Sequence, residues 1–263
     1  APAGGRVRNV PAVIPRADAL AALERDSFDV AVVGGGITGA GVALDAASRG
    51  YSVALIERDD FAAGTSSRSS KLIHGGLRYL QNFDLGLVRE ALLERSLLVR
   101  LAPHLVRPLP LLVPAFDGQR PDRLTGIGLN MYDVMSVRRR GGDDYWSPAR
   151  HRAIGGDEVR ELLPALDGRS PSGGYLFYDC QTDDVRLVLT VLAEAGRFGA
   201  VSANRVEVTG LLDRGARAVD LETGAELEIR ADNVVNATGV WADRLRPDEL
   251  HDEAEVPVIR PSR

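Results

Sequence analysis

Phe28-Asp-Val-Ala-Val-Val33 runs directly into Gly34-Gly-Gly-Ile-Thr-Gly39, and the fold turns on how this junction is read. The first six residues are mostly apolar and rich in valine, the pattern of a parallel strand buried on both faces. Gly34-x-Gly36-x-x-Gly39 then predicts a tight turn opening a helix that continues to Arg49, with Gly50 placed to end it. Tyr51-Ser-Val-Ala-Leu-Ile-Glu57 predicts a second strand, which completes one βαβ unit. In such a unit Gly34 permits the turn, Gly36 lets the backbone approach a pyrophosphate, and Gly39 lets helix and strand pack closely. Gly35, Ile37 and Thr38 fill the turn and begin the helix, whose free N–H groups and positive dipole end favour phosphate.

The glycine spacing is common by itself; its context makes it a dinucleotide site. Glu57 stands 23 residues after Gly34, close to the offset of roughly twenty for a ribose-binding carboxylate. A glutamate there accepts from both ribose hydroxyls and repels a 2′-phosphate, which disfavours NADP. The competing reading of Glu57 is a surface charge at a strand end. Spacing does not separate NAD from FAD.

The 263 residues suffice for one large domain or two small ones, and 44% hydrophobic with 26% charged residues is an ordinary globular balance. A net charge of -5 makes nucleic acid a poor partner. Cys180 is the single cysteine, so no internal disulfide is expected and no metal site is predicted; it reads as a small packed residue. Ala1-Pro-Ala-Gly-Gly5 lacks the basic-then-apolar layout of a secretory signal and reads as a loose leader. With no apolar run of the roughly twenty residues a spanning helix needs, a cytoplasmic location is expected, with membrane-surface contact left open.

Outward from the βαβ unit, residues 16–25 suit a short amphipathic helix. Residues 61–82, rich in Ser, Gly and Thr, predict an extended loop whose turn to Leu72-Ile73 and Leu77 suggests docking rather than mobility. Residues 84–102 predict a scaffold helix, with Asp84 as N-cap, Leu85, Val88, Leu92 and Leu93 at helical spacing, and Pro103 as its stop. The proline-rich stretch Pro108 to Pro114 carries a strand-like Leu109-Pro-Leu-Leu-Val113, and proline there predicts an edge strand or a strand end. Residues 117–172 are polar and broken by Gly and Pro, which predicts loop; within them Arg138-Arg139-Arg140 is either a solvated run or a contact for anionic lipid or phosphate. Further strands are predicted over 174–178, 206–208, 218–221 and from Asn233 into a glycine turn, with a helix over 184–198.

Gly64-Thr-Ser-Ser-Arg-Ser-Ser-Lys-Leu-Ile-His-Gly-Gly-Leu-Arg-Tyr79 closely resembles a stretch of the FAD-dependent glycerol-3-phosphate dehydrogenases, as does the whole run from Val30 to Pro103. Tyr178-Asp-Cys-Gln-Thr-Asp-Asp-Val-Arg186 is similar to the same family. Asn236-Ala-Thr-Gly-Val-Trp-Ala242 resembles the closing flavin motif of a wider group that includes D-amino-acid and sarcosine oxidases. The resemblance implies an α/β fold: a Rossmann-like FAD-binding domain of the glutathione-reductase/D-amino-acid-oxidase type with an inserted, incomplete antiparallel β substrate domain. The expected boundaries are a leader and short helix over 1–26, the FAD-binding domain over 27–103 plus 180–263, and the substrate domain over 104–179.

It also implies FAD as cofactor and oxidation of sn-glycerol 3-phosphate to dihydroxyacetone phosphate, with hydride passing from C2 to flavin N5 and electrons going on to a membrane quinone. A homodimer and peripheral membrane contact are carried as expectations of the same kind. The hydroxyls of Thr65, Ser66, Ser69 and Ser70 suit ribityl oxygens and a pyrophosphate. Lys71, the sole lysine, adds a point charge, and Leu72, His74 and Gly75 are expected beside the flat ring. Arg58 follows the ribose carboxylate. The resemblance sets the Val206 backbone against adenine, lets the backbone of Ala237, Thr238 and Gly239 approach the pyrophosphate, and packs Trp241 behind them. Arg78 is the candidate for the substrate phosphate, since the guanidinium fork pairs with oxyanions, and Tyr79 is expected next to it. His74 has the chemistry to accept the substrate hydroxyl proton, its alternative being a structural histidine.

The resembled family continues beyond Val258-Ile-Arg-Pro-Ser-Arg263 into further sheet and a helical domain, so poor turnover is expected of the 263 residues alone. The rival readings are a related flavin oxidase using oxygen, acting on glycerol 3-phosphate or an amine, and a fragment or nucleotide sensor that binds FAD without turnover. The run from Ser70 to Tyr79 weighs against both.

Overall fold

The computed structural model describes residues 15–76, 84–119, 121, 123–136 and 150–245. In chain order its elements are α1 (Arg16–Arg25), β1 (Ser27–Val33), α2 (Ile37–Ser48), β2 (Val53–Ile56), β3 (Leu72–Ile73), α3 (Leu85–Leu101), β4 (Arg107–Ala115) and α4 (Arg123–Ser136). There follow β5 (Arg152–Gly155), α5 (Gly156–Leu162), β6 (Gly173–Gln181), α6 (Asp184–Arg197), β7 (Val201–Ala203), β8 (Val206–Leu212), β9 (Gly215–Asp220) and β10 (Glu226–Asn236). They divide into two compact units, residues 1–69 with 184–263 and residues 70–183.

The first unit carries a six-stranded sheet in the order β7-β2-β1-β10-β9-β8. β7, β2, β1 and β10 are parallel, and β10, β9 and β8 form an antiparallel meander. β10 serves both halves: Glu226–Arg230 pairs with β9, and Arg230–Asn236 pairs with β1. Successive residues of the inner strands alternate between two apolar layers, as the pleat requires. Ala31, Ala54 and Ile56 pack with Ala19, Leu23 and Ile229 on one side, whereas Val32, Val53 and Leu55 pack with Ala43, Val188 and Leu192 on the other. Burial on both faces explains the near-continuous apolar runs of β1 and β2.

α1 is an integral part of this unit. Ala19 and Leu23 are fully buried, and Arg16 binds the Asp220 carboxylate, Glu222 at 3.0 Å and the Asn204 carbonyl at 3.2 Å. β8, β9 and β10 extend past their expected bounds, to 206–212, 215–220 and 226–236, because ladder pairing carries residues such as Gly210 and Glu228 that have weak strand preference of their own.

The second unit is built on β6, with β4 along one edge and β3 and β5 along the other. Pro108, Pro110 and Pro114 lie in β4, which pairs only with β6 among the described residues. All three sit at even positions, so the missing N–H groups fall on the same side of the strand, the side away from its partner.

The loop expected over 117–172 is instead partly regular, containing α4, β5 and α5. Gly126 and Gly128 made the α4 stretch read as broken, yet Gly126 has a packing role: a Cβ there would run into the Tyr175 hydroxyl and lie 3.0 Å from its ring carbon Cζ. The Arg138–Arg140 run lies outside the described residues. α3 also differs from expectation. Its buried residues are Val88, Leu92, Arg95 and Val99, while Leu85 and Leu93 are exposed. Residues 70–103, expected with the nucleotide-binding unit, cluster with β6, which moves the divisions to Ser69/Ser70 and Asp183/Asp184.

Candidate functional site

β1, β2 and β10 run parallel and adjacent, so Val33, Ile56 and Asn236 end at one edge of the sheet, where α/β proteins bind ligands. The glycine turn sits at this edge. Gly34 has φ +114°, a conformation L side chains rarely adopt, and a Cβ on it would lie 2.7 Å from the Ala237 carbonyl carbon. A Cβ on Gly39 would overlap the Gly34 carbonyl oxygen. Gly36 is the N-cap of α2 and supplies no side chain, which leaves the first N–H groups of the helix for other acceptors.

One acceptor is already present. Ser66 Oγ takes the Ile37 N–H at 2.9 Å, which brings the Ser-rich loop to the helix N-terminus. Thr65–Ser67 forms a single 3₁₀ turn, whose Ser67 hydroxyl donates to the Gly64 carbonyl at 3.2 Å. Ser69 Oγ donates to Asp184 Oδ2 at 2.8 Å at the first residue of α6, so the loop is tied at both ends. Thr38 and Thr65 are exposed at this edge.

Glu57 turns inward to the glycine turn and does not project as a surface charge. Its Oε2 accepts the Gly35 N–H at 2.6 Å and its Oε1 accepts the Asp59 N–H at 2.8 Å. Two oxygens offer about four acceptor positions, so capacity for two ribose hydroxyls remains. Arg58 points to Glu207, 3.4 Å away. Val206 is fully buried, and its N–H donates to the Glu57 carbonyl at 2.9 Å, a bond that a main-chain contact to adenine through that N–H would have to displace.

Ala237 closes the far side, its N–H donating to the Val33 carbonyl at 2.8 Å. Thr238 donates through its hydroxyl to Asn236 Oδ1 at 2.7 Å, and Gly239 has φ +62°. Trp241 packs on Gly64: a Cβ there would lie 3.0 Å from the indole. The glycine turn, Glu57, the serine loop and the Ala237–Trp241 segment therefore converge within the first unit. An open glycine cradle, helix N–H donors for phosphate and an acceptor carboxylate just past the end of β2 make up a dinucleotide site, and the residues fit FAD.

The remaining expected residues belong to the second unit. Ser70, Lys71 and His74 are exposed, Leu72 is half-buried, and Gly75 is buried. Lys71 has φ +58°, and its carbonyl accepts the Thr182 N–H at 2.9 Å. His74 Nδ1 accepts from the Gly76 N–H at 3.2 Å. Arg78 and Tyr79 lie outside the described residues. Cys180 is fully buried, and burial pushes its thiol up to about 11, which suits a packed residue and not a nucleophile.

Two charged residues escaped the sequence reading. Arg95 and Asp179 form a buried pair, Nη1 to Oδ1 at 2.7 Å. The signal was present: Arg95 falls on the stripe of Val88, Leu92 and Val99, and an arginine on a buried face implies a buried acid.

Residues 29–263 match the family model described as DAO, FAD dependent oxidoreductase. The chain is 45% identical over 254 residues to glycerol-3-phosphate dehydrogenase 2 of Mycobacterium tuberculosis, covering 94% of this chain and 42% of that protein. It is 40% identical to the mitochondrial glycerol-3-phosphate dehydrogenase of Homo sapiens, covering 89% of this chain and 33% of that one. The structure of glycerol-3-phosphate dehydrogenase from Bacillus halodurans complexed with FAD superposes with a TM-score of 0.64 at 32% identity, over 87% of this chain and 37% of the other. The chain thus spans well under half the length of these relatives. A match across nearly the whole chain, on a fold whose glycine turn and carboxylate are arranged for a dinucleotide, means that the chain belongs to the FAD-dependent oxidoreductase family.

Proposed function

We propose that this chain supplies the FAD-holding part of an oxidation of sn-glycerol 3-phosphate to dihydroxyacetone phosphate. The observation that carries the reading is the 45% identity to a glycerol-3-phosphate dehydrogenase across 94% of the chain. The site supports it, because Glu57, Ser66 and Ala237 meet at the glycine turn and Trp241 packs on Gly64 of the serine loop.

In this reading the N–H groups at Gly36 and Thr38 hold the pyrophosphate with help from the helix dipole, and that of Ile37 joins them by giving up its bond to Ser66 Oγ. Ser66 and Thr65 add hydroxyl donors, Gly36 keeps the approach free of a side chain, and Gly34, Gly35 and Gly39 let the turn pack closely on Ala237, Glu57 and the helix start. Glu57 holds the adenosine ribose while its bonds to Gly35 and Asp59 keep it oriented. Arg58, Val206, Ala237, Thr238, Gly239 and Trp241 border the rest of the nucleotide. Ser69, Ser70, Lys71, Leu72, His74 and Gly75 border the ribityl chain and ring. When bound, the flavin supplies the two-electron acceptor, taking a hydride from C2 at N5.

His74 takes the substrate hydroxyl proton, and Arg78 with Tyr79 holds the substrate phosphate. A quinone is the proposed final acceptor, reached by peripheral contact at the cytoplasmic face of a membrane, and a homodimer is the proposed assembly. No helix among the described residues is long and apolar enough to cross a membrane.

The test is anaerobic addition of sn-glycerol 3-phosphate to the FAD-loaded chain, beside a form of its relatives' length, while the oxidised flavin band is followed. Bleaching supports both cofactor and substrate. Retained FAD with no bleaching in either form overturns the substrate, and FAD that never binds overturns the cofactor.

A further inference from the structure

We propose that the Arg95–Asp179 pair is a positioning device for the His74–Gly75–Gly76 turn, and that Asp179 sets where His74 stands. The inference deepens the function proposed above, since it concerns the turn assigned there to the flavin ring and the substrate proton.

The ladder between β3 and β6 ends early. β3 pairs with β6 through Leu72↔Gln181 and Ile73↔Cys180, and the next rung would set His74 against Asp179. At that point a side chain replaces the ladder: the Gly75 N–H donates to Asp179 Oδ1 at 3.1 Å. The same oxygen accepts Arg95 Nη1 at 2.7 Å, and Arg95 also reaches the Tyr178 carbonyl at 3.4 Å. Asp179 is 3% exposed and Arg95 4%, so the acceptor is fixed in a medium where charge-assisted bonds are strong. The bond from the Gly76 N–H to His74 Nδ1 then closes the turn, with Gly76 at φ +75°. The imidazole is exposed at the head of a turn whose base is pinned.

A buried ion pair is a poor device for stability alone, because apolar residues of similar volume commonly hold two elements as well or better. What an apolar pair lacks is an acceptor for the Gly75 N–H. Helix α3 supplies the cation, β6 the anion, and the Gly75 N–H just after β3 receives the result.

The experiment compares two double variants with wild type. Arg95→Leu with Asp179→Leu removes the charges and the acceptor, while Arg95→Gln with Asp179→Asn removes the charges and keeps an acceptor. In the apoprotein, amide hydrogen exchange over residues 72–76 is expected to speed up about tenfold or more in the leucine pair, the scale of losing one hydrogen bond to a charged group. The Gln/Asn pair is expected to stay within about threefold of wild type. In the FAD-loaded protein the leucine pair is expected to reduce its flavin with glycerol 3-phosphate at least about tenfold more slowly at equal FAD content and equal Tm, with the Gln/Asn pair restoring the rate.

Equal exchange in all three proteins overturns the proposal, as does a leucine pair that reduces as fast as wild type. If the leucine pair fails to fold, Asp179→Ala alone decides through exchange at Gly75, where protection unchanged from wild type is the refuting result. If wild type itself is not reduced by glycerol 3-phosphate, the proposed substrate fails, while the apoprotein exchange still decides the positioning role.

Discussion

Replacing Gly39 and Gly41 by alanine, one at a time, makes the same chemical change two residues apart in α2 and is expected to move stability in opposite directions. In an exposed helix interior, glycine to alanine stabilises by roughly 0.5–1 kcal/mol, because alanine gives up less backbone entropy on folding. Gly41 meets this condition: a Cβ there would have nothing within 4 Å. At Gly39 the new Cβ would overlap the Gly34 carbonyl oxygen and lie 3.4 Å from Val32 Cγ1. Its principal neighbour is backbone, so no side chain can rotate away, and turn and helix must part by about 1 Å. Overpacking of this kind costs about 1–3 kcal/mol, and a rigid neighbour puts Gly39 at the upper end. Subtracting the helix gain leaves about 2 kcal/mol of destabilisation.

For a chain of this size 1 kcal/mol corresponds to roughly 2–4 °C in Tm, so Gly39→Ala should fall by about 4–8 °C and Gly41→Ala should rise by about 1–4 °C. Thermal unfolding followed by circular dichroism, on apoprotein and again with FAD, measures both. FAD should raise the Tm of Gly41→Ala as it does that of wild type, and raise that of Gly39→Ala less, since the displaced helix start presents its N–H groups poorly. Shifts of the same sign at the two positions, or Gly39→Ala within 1 °C of wild type, would refute the close-approach argument.

Glu57→Gln keeps the size of the side chain but turns one acceptor oxygen into a donor facing the N–H of Gly35 or Asp59; FAD affinity should fall about tenfold or more, the scale of a hydrogen bond to a charged group. Flavin fluorescence titration measures this, and an unchanged Kd would remove Glu57 from the ribose site. The second prediction concerns acid. Hydrogen bonds from Arg16 and Thr223 hold the Asp220 carboxyl at about 2, below its ordinary 3.8. The folded chain therefore binds fewer protons than the unfolded one between about pH 4 and pH 2. The stabilisation is complete above about pH 4 and is lost as the pH falls toward 2. Asp220→Asn should be less stable at pH 6 and lose less than wild type over that window; parallel stability curves from urea titrations at each pH would rule the linkage out.

The nucleotide half of this protein was legible in its sequence because its signals are local. A buried strand announces itself by a β-branched apolar run, a tight strand-to-helix turn by glycines where backbone must approach backbone, and the acid proposed for the ribose by its distance from Gly34. Each depends on a few neighbouring residues, and the structure returns them as β1, the Gly34–Gly39 turn and an inward Glu57. The prolines of β4 were similarly informative, since a missing N–H restricts a residue to an edge whatever the rest of the fold does.

Contacts across long sequence separations were decided only by tertiary structure. Gly126 of α4 looks like a helix breaker until Tyr175, nearly fifty residues away, is seen to take the space a side chain would need. α1 reads as a short helix set ahead of the FAD-binding domain until Leu23 is found in the core with Ile229 and Arg16 against Asp220. Arg95 and Asp179 are 84 residues apart, and each reads in isolation as an ordinary charge. Periodicity tells which face of a helix or strand is buried. It does not tell what stands opposite, and the partner is what turns a buried arginine into the support of a turn.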